Sequence, residues 1–365
     1  MTDLEPFKTI SESVLVQRIA EILSEGSRET TYKHALLMAL IDWSVENAGT
    51  TRVPTSDLAE IVLRLYWDQG QPYFSAGGEA LPIKQGKPGQ PDVKITALVR
   101  ELRAKSDSKF LHGVAKEAPR TLKMTLDSIE RVLVAQPIPR LQTIGKTTSE
   151  FLYSCKWPPK QSLNKLRASG IASIELLPGV SEVFRSLGPL FRTMIEMHWI
   201  QDVAKWSGLK VEEDSLRDHL FGSEREQLLP KAREMLAEFH GNLCFYCETK
   251  LQKFHVDHFV PWSKHPNEAI ENLVPSCVKC NLSKSDVLPS PRYFQLWMAR
   301  FAHQRKFEEI AEEGLCESNP RRSMRVARSI SAELRSGSVV WDGPNGFLQF
   351  DEQMEVTLGK LFEND

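Results

Sequence analysis

Four cysteines in two closely spaced pairs are the first residues of this chain whose spacing indicates chemistry. Cys244 and Cys247 form one C-x-x-C pair, and Cys277 and Cys280 form a second. Such pairs are typical of structural zinc sites, in which each pair supplies two thiolates to a tetrahedral ion. Because four thiolates leave no open position for water, the predicted zinc would stabilise the fold and would take no part in catalysis.

Between the two pairs, the sequence carries residues that could hydrolyse a phosphodiester. The segment 254–261 alternates as a short strand, and Asp257 and His258 lie near its end. A histidine can accept a proton from water near neutral pH, and a carboxylate can hold a cation that offsets charge on the leaving oxygen. These two neighbours therefore predict a hydrolytic site.

The second cysteine pair predicts the first turn of a helix with Asn281 and Lys284 on the same side. The amide oxygen of Asn281 could share one hard cation with Asp257, and Lys284 could contact a phosphate. His255 lies on the same strand face as Asp257. It could be a ligand or a phosphate donor, although a packing or hydrogen-bonding role is the more common one for a strand histidine.

Taken together, these motifs resemble an HNH endonuclease domain. The elements D-H-x-x-P, E-N-L and C-x-x-C-N-x-x-K occur in order within residues 244–284. The resemblance implies a zinc-supported ββα-metal nuclease domain of the four-cysteine type, with His258 as the general base and Asn272 bracing the loop that orients it. It also implies that Asp257 and Asn281 hold a catalytic magnesium or manganese ion. Asn281 stands where many members carry a final histidine, which favours such an oxygen-preferring ion.

The composition is that of an ordinary globular protein, with 41% hydrophobic and 26% charged residues in a chain of 365. No run approaches the roughly 18 apolar residues of a membrane span. The first residues lack the basic and apolar regions of a secretory signal, so we expect a cytoplasmic protein. The remaining cysteines, Cys155 and Cys316, are expected to be buried or incidental thiols.

The net charge of −2 means that any DNA contact must come from local patches. Basic residues outnumber acidic ones in the segment 92–146. Near the C-terminus, Arg321, Arg325 and Arg328 fall on one face of a predicted helix and could follow DNA phosphates. A solvated helix face with acidic partners nearby is an alternative of similar weight.

The predicted fold class is mainly α with small α+β parts, with a ββα-metal HNH nuclease domain behind a helical N-terminal region. Apolar residues at helical spacing predict helices in 10–23, 32–43, 53–67 and 95–102, and longer ones over 180–206 and 291–313. A capping box at Ser223–Glu226 predicts a helix that continues through Pro230 towards His240.

These elements divide the chain into four predicted parts. They are a helical N-terminal domain (1–138), a mixed central region (139–222), the HNH nuclease domain with its zinc (223–315), and a basic helix with the C-terminal tail (316–365). The N-terminal domain could be of helix-turn-helix or winged-helix type, or a helical scaffold that contacts no DNA.

The function predicted from the sequence is metal-dependent hydrolysis of DNA by an HNH endonuclease. A nuclease appended to a larger unrelated region is similar to restriction and phage-defence enzymes, which implies antiviral defence and other defence-system proteins as partners. A non-catalytic zinc module that binds nucleic acid or a partner protein is one alternative. An HNH enzyme acting on RNA or single-stranded DNA is another. A scaffold alone would not require Asp257, His258, Asn272 and Asn281 together.

Overall fold

The computed structural model describes residues 10–25, 29–74, 78, 80–81, 83–89, 93–106, 111–209, 213–222 and 228–363. The chain folds as two compact units, Met1–Ser223 and Glu224–Asp365. The finer division into four parts stays a prediction. None of the helices in the described ranges combines the length and apolar character that a membrane span requires.

The first unit is built mainly from helices. They are α1 Glu12–Glu25, α2 Tyr32–Glu46, α3 Thr55–Tyr66, α4 Lys94–Arg103, α5 Leu111–Glu117, α6 Pro119–Ala135, α7 Leu163–Ala168, α8 Val180–Ser186, α9 Gly188–Ser207 and α10 Glu213–Phe221. Short strands lie between them: β1 Arg52–Pro54, β2 Tyr73–Phe74, β3 Ala80–Leu81, β4 Thr143–Ile144, β5 Thr147–Thr148, β6 Tyr153–Ser154 and β7 Ser173–Leu176. The helices predicted at 10–23, 32–43, 53–67 and 95–102 are confirmed.

Helix α2 is the central element of this unit. Its sequence is apolar on nearly every side, and such a helix is stable only when other elements surround it. It packs against α3, α8 and α9. Its buried side chains join those of α1, α3, α4 and α6 in one hydrophobic core.

A small antiparallel sheet joins distant parts of the first unit. Its strand order is β1-β7-β6, with Val53 opposite Ile174 and Tyr153 opposite Leu176. The helical segment predicted over 180–206 is confirmed as two helices, because α8 ends before Leu187 and α9 begins at Gly188 with a proline in its first turn. Proline fits a first turn but lacks the N–H that would continue an existing helix.

The second unit begins with a helix and continues with a strand–strand–helix motif. Its elements are α11 Pro230–Phe239, β8 Phe254–His258, β9 Leu273–Cys277, α12 Val278–Lys284, α13 Pro291–Ala299, α14 Gln304–Gly314, α15 Pro320–Ser331, β10 Val339–Trp341, β11 Phe347–Gln349 and α16 Glu352–Glu363. Strands β8 and β9 pair antiparallel, with His258 opposite Leu273 and Phe254 opposite Cys277.

Two predicted helices of this unit have different bounds in the structure. The capping box at Ser223–Glu226 lies outside the described residues, and α11 begins at Pro230 because Leu229 before it is extended. The predicted helix over 291–313 is interrupted by a short 3₁₀ segment, Arg300–His303, between α13 and α14. That tighter segment places the Arg300 side chain against β9, where it donates a 2.7 Å hydrogen bond to the carbonyl of Leu273.

A hydrophobic core surrounds the ββα motif of the second unit. Apolar side chains of α11, α14 and β9 form one cluster, which includes Leu236, Leu273 and Phe307. Beside it, the Phe259 and Trp297 rings stack with centroids 4.9 Å apart. The predicted fold class, mainly α with small α+β parts, is confirmed by the helices and the small separate sheets of both units.

Candidate active site and metal centre

The four predicted zinc ligands come together in the second unit. The Sγ atoms of Cys244, Cys247, Cys277 and Cys280 all lie within 4.8 Å of one another. The Cys247 and Cys277 sulfurs are 3.8 Å apart, which is far too long for a disulfide. Zinc–sulfur bonds of about 2.3 Å in a tetrahedron place two sulfurs about 3.8 Å apart, so this spacing fits zinc.

Backbone turns hold each cysteine pair in a ligand-ready conformation. In the first pair, Glu248 has a left-handed φ of 58° and donates its N–H to the carbonyl of Cys244 at 2.9 Å. In the second pair, Cys277 caps α12, since its sulfur accepts the N–H of Cys280 at 3.4 Å. The pKa of Cys244 is lowered to about 4, chiefly by the hydrogen bond from Cys280. The same contact raises the pKa of Cys280, so one thiol of this pair is held as a thiolate, which is the form that binds a metal.

Asp257 is held by two donors from different elements. Tyr246, inside the first cysteine pair, donates its hydroxyl to Asp257 Oδ2 at 2.6 Å. The ammonium of Lys284, from α12, lies 3.0 Å from Oδ2 and 3.3 Å from Oδ1. Because the one donor to Oδ1 is the longer contact from Lys284, Oδ1 retains a lone pair for a further ligand.

Lys284 connects α12 to the end of β8. Its ammonium also donates a 2.8 Å hydrogen bond to the backbone carbonyl of His258, and its side chain is fully buried. A buried charge needs such partners, because an unpaired ammonium in a protein interior is strongly destabilising. In this arrangement Lys284 organises Asp257 and His258 from within the domain, and the phosphate contact suggested by the sequence stays a prediction.

His258 lies at the edge of the site, with its ring 14% exposed. Its Nε2 atom is 3.2 Å from Oε1 of Glu268, and the Trp262 ring lies beside it at a centroid distance of 5.5 Å. Burial lowers the pKa of His258. The hydrogen bond to Glu268 and the charges of Glu268 and Asp257 outweigh that effect, so the pKa lies above its ordinary value.

Asn272 braces the chain directly after His258. It is fully buried, and its Oδ1 accepts the N–H of Val260 at 2.9 Å while its Nδ2 donates to the Val260 carbonyl at 3.1 Å. Its own carbonyl accepts the N–H of Phe259 at 2.7 Å. A second bond from Nδ2 reaches the Asn267 carbonyl at 3.0 Å. Asn272 therefore fixes both ends of the loop that joins His258 to Glu268.

Asn281 and His255 are the remaining sequence candidates near this site. Asn281 is half-buried on α12, one turn before Lys284 and on the same side of the helix. His255 is exposed on β8 and shares a face with Asp257. A carboxylate oxygen of Asp257 and an amide oxygen of Asn281 form a donor set that suits a hard cation such as magnesium. The residues thus fit the ion that the sequence motifs imply.

The predicted arginine helix is α15, and its exposed face carries the three arginines selected from the sequence. Arg321, Arg325 and Arg328 are all exposed on α15. Arg322 has a structural role instead, since it pairs with Glu317 at 3.3 Å and donates to the Pro266 carbonyl at 3.2 Å. The latter bond ties α15 to the loop that carries Glu268.

Comparison with protein families gives two matches, one in each unit of the chain. The model of a family described as a domain of unknown function (DUF8808) matches residues 12–220, which is more than half of the chain. The chain belongs to the DUF8808 family. The model described as HNH endonuclease matches residues 244–286, so an HNH domain follows the DUF8808 region and the resemblance seen in the sequence is confirmed. No curated protein matches the chain.

The HNH domain indicates a nuclease-type, metal-binding function and implies nucleic-acid binding. Three contributors to its site were not selected from the sequence: Tyr246, Trp262 and Glu268. Tyr246 could have been identified from the sequence, because its hydroxyl lies between the two cysteines of a metal-binding pair. No pattern in the sequence indicates Glu268, because only the folded loop brings its carboxylate to His258. The two cysteines outside the cluster, Cys155 and Cys316, have raised pKa values because of burial and do not resemble nucleophiles.

Proposed function

We propose that this protein is a metal-dependent endonuclease that hydrolyses phosphodiester bonds of DNA. The observation that carries the proposal is the convergence of three elements on one spot. Lys284 of α12 binds both the Asp257 carboxylate and the His258 carbonyl, and the four-cysteine cluster anchors the start of the same helix. A module that only bound a partner would need the cluster but not this arrangement of Asp257, His258 and Lys284.

His258 is the proposed general base. When its Nε2–H donates to Glu268, Nδ1 is left as the basic nitrogen that can accept a proton from the attacking water. Glu268 and the Asn272-braced loop hold the ring in that orientation. Preorganisation of this kind matters because the base must lie within hydrogen-bond reach of the water in the reactive geometry.

Asp257 and Asn281 are the proposed ligands of a catalytic magnesium or manganese ion. Such an ion, when bound, offsets the charge that develops on the phosphate and the leaving oxygen. The carboxylate of Asp257 is already oriented by Tyr246 and Lys284. The four-cysteine cluster is a separate structural site, for which zinc is the proposed metal.

Arg321, Arg325 and Arg328 are the proposed contacts to DNA phosphates, with His255 and Lys284 as further candidates from the sequence. The three arginines share one exposed helix face, and guanidinium groups bind phosphate oxygens readily. Because Arg322 and Ser323 bond to Pro266 and Asn267, α15 is held next to the loop that follows His258. DNA held there would lie near His258.

Cleavage of a supercoiled plasmid with magnesium tests the proposal. Wild-type protein with confirmed zinc is expected to convert the plasmid to nicked or linear forms, and chelation should abolish this. His258→Ala should lower the cleavage rate by about 10²–10⁴-fold, the usual contribution of a general base. His303→Ala is the matched control, because His303 is an exposed histidine of the same unit.

The alternatives give distinct outcomes in the same assay. Cleavage of RNA or of single-stranded DNA in place of the plasmid would assign the substrate to those classes. If zinc-loaded wild-type protein cuts no nucleic acid with either magnesium or manganese, the enzyme proposal fails and the non-catalytic zinc module replaces it.

The biological setting that we propose is restriction or antiviral defence in the cytoplasm. In that setting the DUF8808 region would recruit or restrain the nuclease, with other defence-system proteins as partners. Its helix-turn-helix or winged-helix character stays a prediction. Phage plating on cells that carry wild-type protein or His258→Ala tests this role, and equal plating on both would contradict it.

A further inference from the structure

Tyr246 occupies an unusual place, because it belongs to the metal cluster by sequence and to the catalytic site by contact. It lies between Cys244 and Cys247, and its ring is buried. Its hydroxyl donates a 2.6 Å hydrogen bond to Asp257 Oδ2. One residue therefore spans the two sites of the HNH domain.

We propose that Tyr246 is a positioning residue that fixes the Asp257 carboxylate for the catalytic cation and makes binding of that cation depend on the cysteine cluster. This inference rests on the proposed function, since it assigns Asp257 to a divalent cation. Folding of the first cysteine pair around its metal sets the place of the Tyr246 hydroxyl. The hydroxyl in turn sets the direction in which Oδ1 of Asp257 points.

The contacts of Asp257 show why one hydroxyl matters. Tyr246 donates to Oδ2, and the Lys284 ammonium donates to Oδ1 at 3.3 Å while lying 3.0 Å from Oδ2, so two donors from different directions hold the carboxylate plane in one orientation. Without the hydroxyl, Lys284 alone remains, and it lies within 3.3 Å of both oxygens. A single donor that contacts both oxygens leaves the carboxylate free to turn, so neither oxygen keeps a fixed direction for a cation.

The ring of Tyr246 is itself held by residues outside the matched HNH segment. Its centroid lies 4.9 Å from that of Trp341 in β10 and 5.4 Å from that of Tyr293 in α13, both edge to face. Trp341 also donates its indole N–H to Ser283 of α12 at 3.0 Å. Trp341 thus holds Tyr246 and the helix of Asn281 in a common frame.

Binding of Mn²⁺ to the whole protein without DNA provides a test that does not depend on cleavage. Electron paramagnetic resonance of free Mn²⁺ during a titration gives the dissociation constant. Tyr246→Phe keeps the ring and its packing and removes only the hydroxyl. We expect Mn²⁺ to bind about tenfold more weakly, because a hydrogen bond to a charged group contributes about that much. The zinc content and the melting temperature should stay close to wild type.

Tyr153→Phe is the matched control. Tyr153 is also buried, and its hydroxyl donates a 2.6 Å hydrogen bond to the Ile138 carbonyl in the first unit. Loss of that hydroxyl should leave the affinity for Mn²⁺ unchanged. Asp257→Ala should abolish Mn²⁺ binding, which would show that the measured binding requires the Asp257 carboxylate.

The outcomes separate this inference from the proposed function. Unchanged Mn²⁺ affinity in Tyr246→Phe overturns the positioning role even if the enzyme cleaves DNA. Weaker Mn²⁺ binding in a protein that never cleaves supports the positioning role and overturns the nuclease. If Tyr246→Phe loses zinc or unfolds, the Mn²⁺ titration is carried out on Trp341→Phe instead, because that substitution loosens the packing that holds the Tyr246 ring. A normal Mn²⁺ affinity in that folded variant then counts against the inference, and a weakened one supports it.

Discussion

The two units of this protein are stabilised by different means. In the first unit, a single hydrophobic core runs through nearly all of the helices, with α2 at its centre. In the second unit, buried apolar and aromatic side chains lie around the ββα motif, and the four-cysteine cluster adds a metal site to this packing. Stability therefore depends on side-chain packing in the DUF8808 region, and on packing together with one metal cluster in the second unit.

Buried charged groups also support the ββα motif of the second unit. Glu271 is fully buried, and its carboxylate accepts hydrogen bonds from Ser318 at 2.7 Å and from the backbone of Asn319 at 3.0 Å. Arg300 is buried nearby, and burial lowers its pKa to about 9. Each charged group is costly to bury without partners, so loss of one partner weakens the whole arrangement.

The largest effect is expected from removal of one zinc ligand. Cys277→Ser should lose the bound metal and unfold the second unit, because structural zinc contributes about 10–16 kcal/mol of apparent binding free energy to such folds. The first unit should keep its own melting transition, since its core contains none of these ligands. Metal analysis and differential scanning calorimetry measure both results.

Asn281→Ala is the control for that substitution. Asn281 is four residues from Cys277 but is not part of the sulfur cluster. We expect this variant to keep zinc and stability and to lose cleavage. Equal unfolding of both variants would contradict the separation between a structural metal and a catalytic one.

A smaller effect is expected from a cavity in the core of the first unit. Leu36 is completely buried in α2. Leu36→Ala should lower the free energy of unfolding of the first unit by about 2–5 kcal/mol, the usual range for such a truncation. Zinc content and Mn²⁺ affinity should not change, because those sites belong to the other unit. A matched exposed variant, Leu190→Ala, should leave the stability nearly unchanged.

Local patterns in the sequence were sufficient for the features that depend on local geometry. The cysteine spacing indicated the cluster, and alternating and helical periods indicated β8, α12 and the first helices. The division of the helical segment 180–206 at Leu187 depends on a proline that fits the first turn of α9, and the period of apolar residues does not show it. The contacts of Glu268 with His258 and of Trp341 with Tyr246 depend on the tertiary fold, which a single sequence does not display.

The third largest effect is expected on DNA binding, for which variants of the two units can be compared directly. Replacement of Arg321, Arg325 and Arg328 by Gln should weaken plasmid binding and reduce the dependence of log affinity on log salt, by about 0.9 for each lost phosphate contact. The fold should be unaffected, because all three side chains are exposed. Fluorescence anisotropy at several salt concentrations measures the slope.

A matched triple variant on the first unit sharpens that comparison. Arg120, Lys123 and Arg131 are exposed on α6. Their replacement by Gln removes the same formal charge from the DUF8808 region. If this variant lowers the slope and the α15 variant does not, the DNA contacts belong to the first unit and the proposed role of α15 is wrong.

The smallest effect is expected at Glu268. A general base must be neutral to accept a proton, so cleavage should rise with pH through the pKa of His258, which the hydrogen bond and charge of Glu268 help to raise. Glu268→Gln removes the charge and should move that rise to lower pH. The shift should be modest and should shrink in high salt, because the Glu268 side chain is 37% exposed and solvent screens it.

The control is Glu309→Gln. Glu309 is an exposed acid on α14, so this variant should leave the pH profile unchanged. A rise that stays at the same pH in Glu268→Gln would mean that a different group controls it, and that Glu268 contributes only orientation to the base.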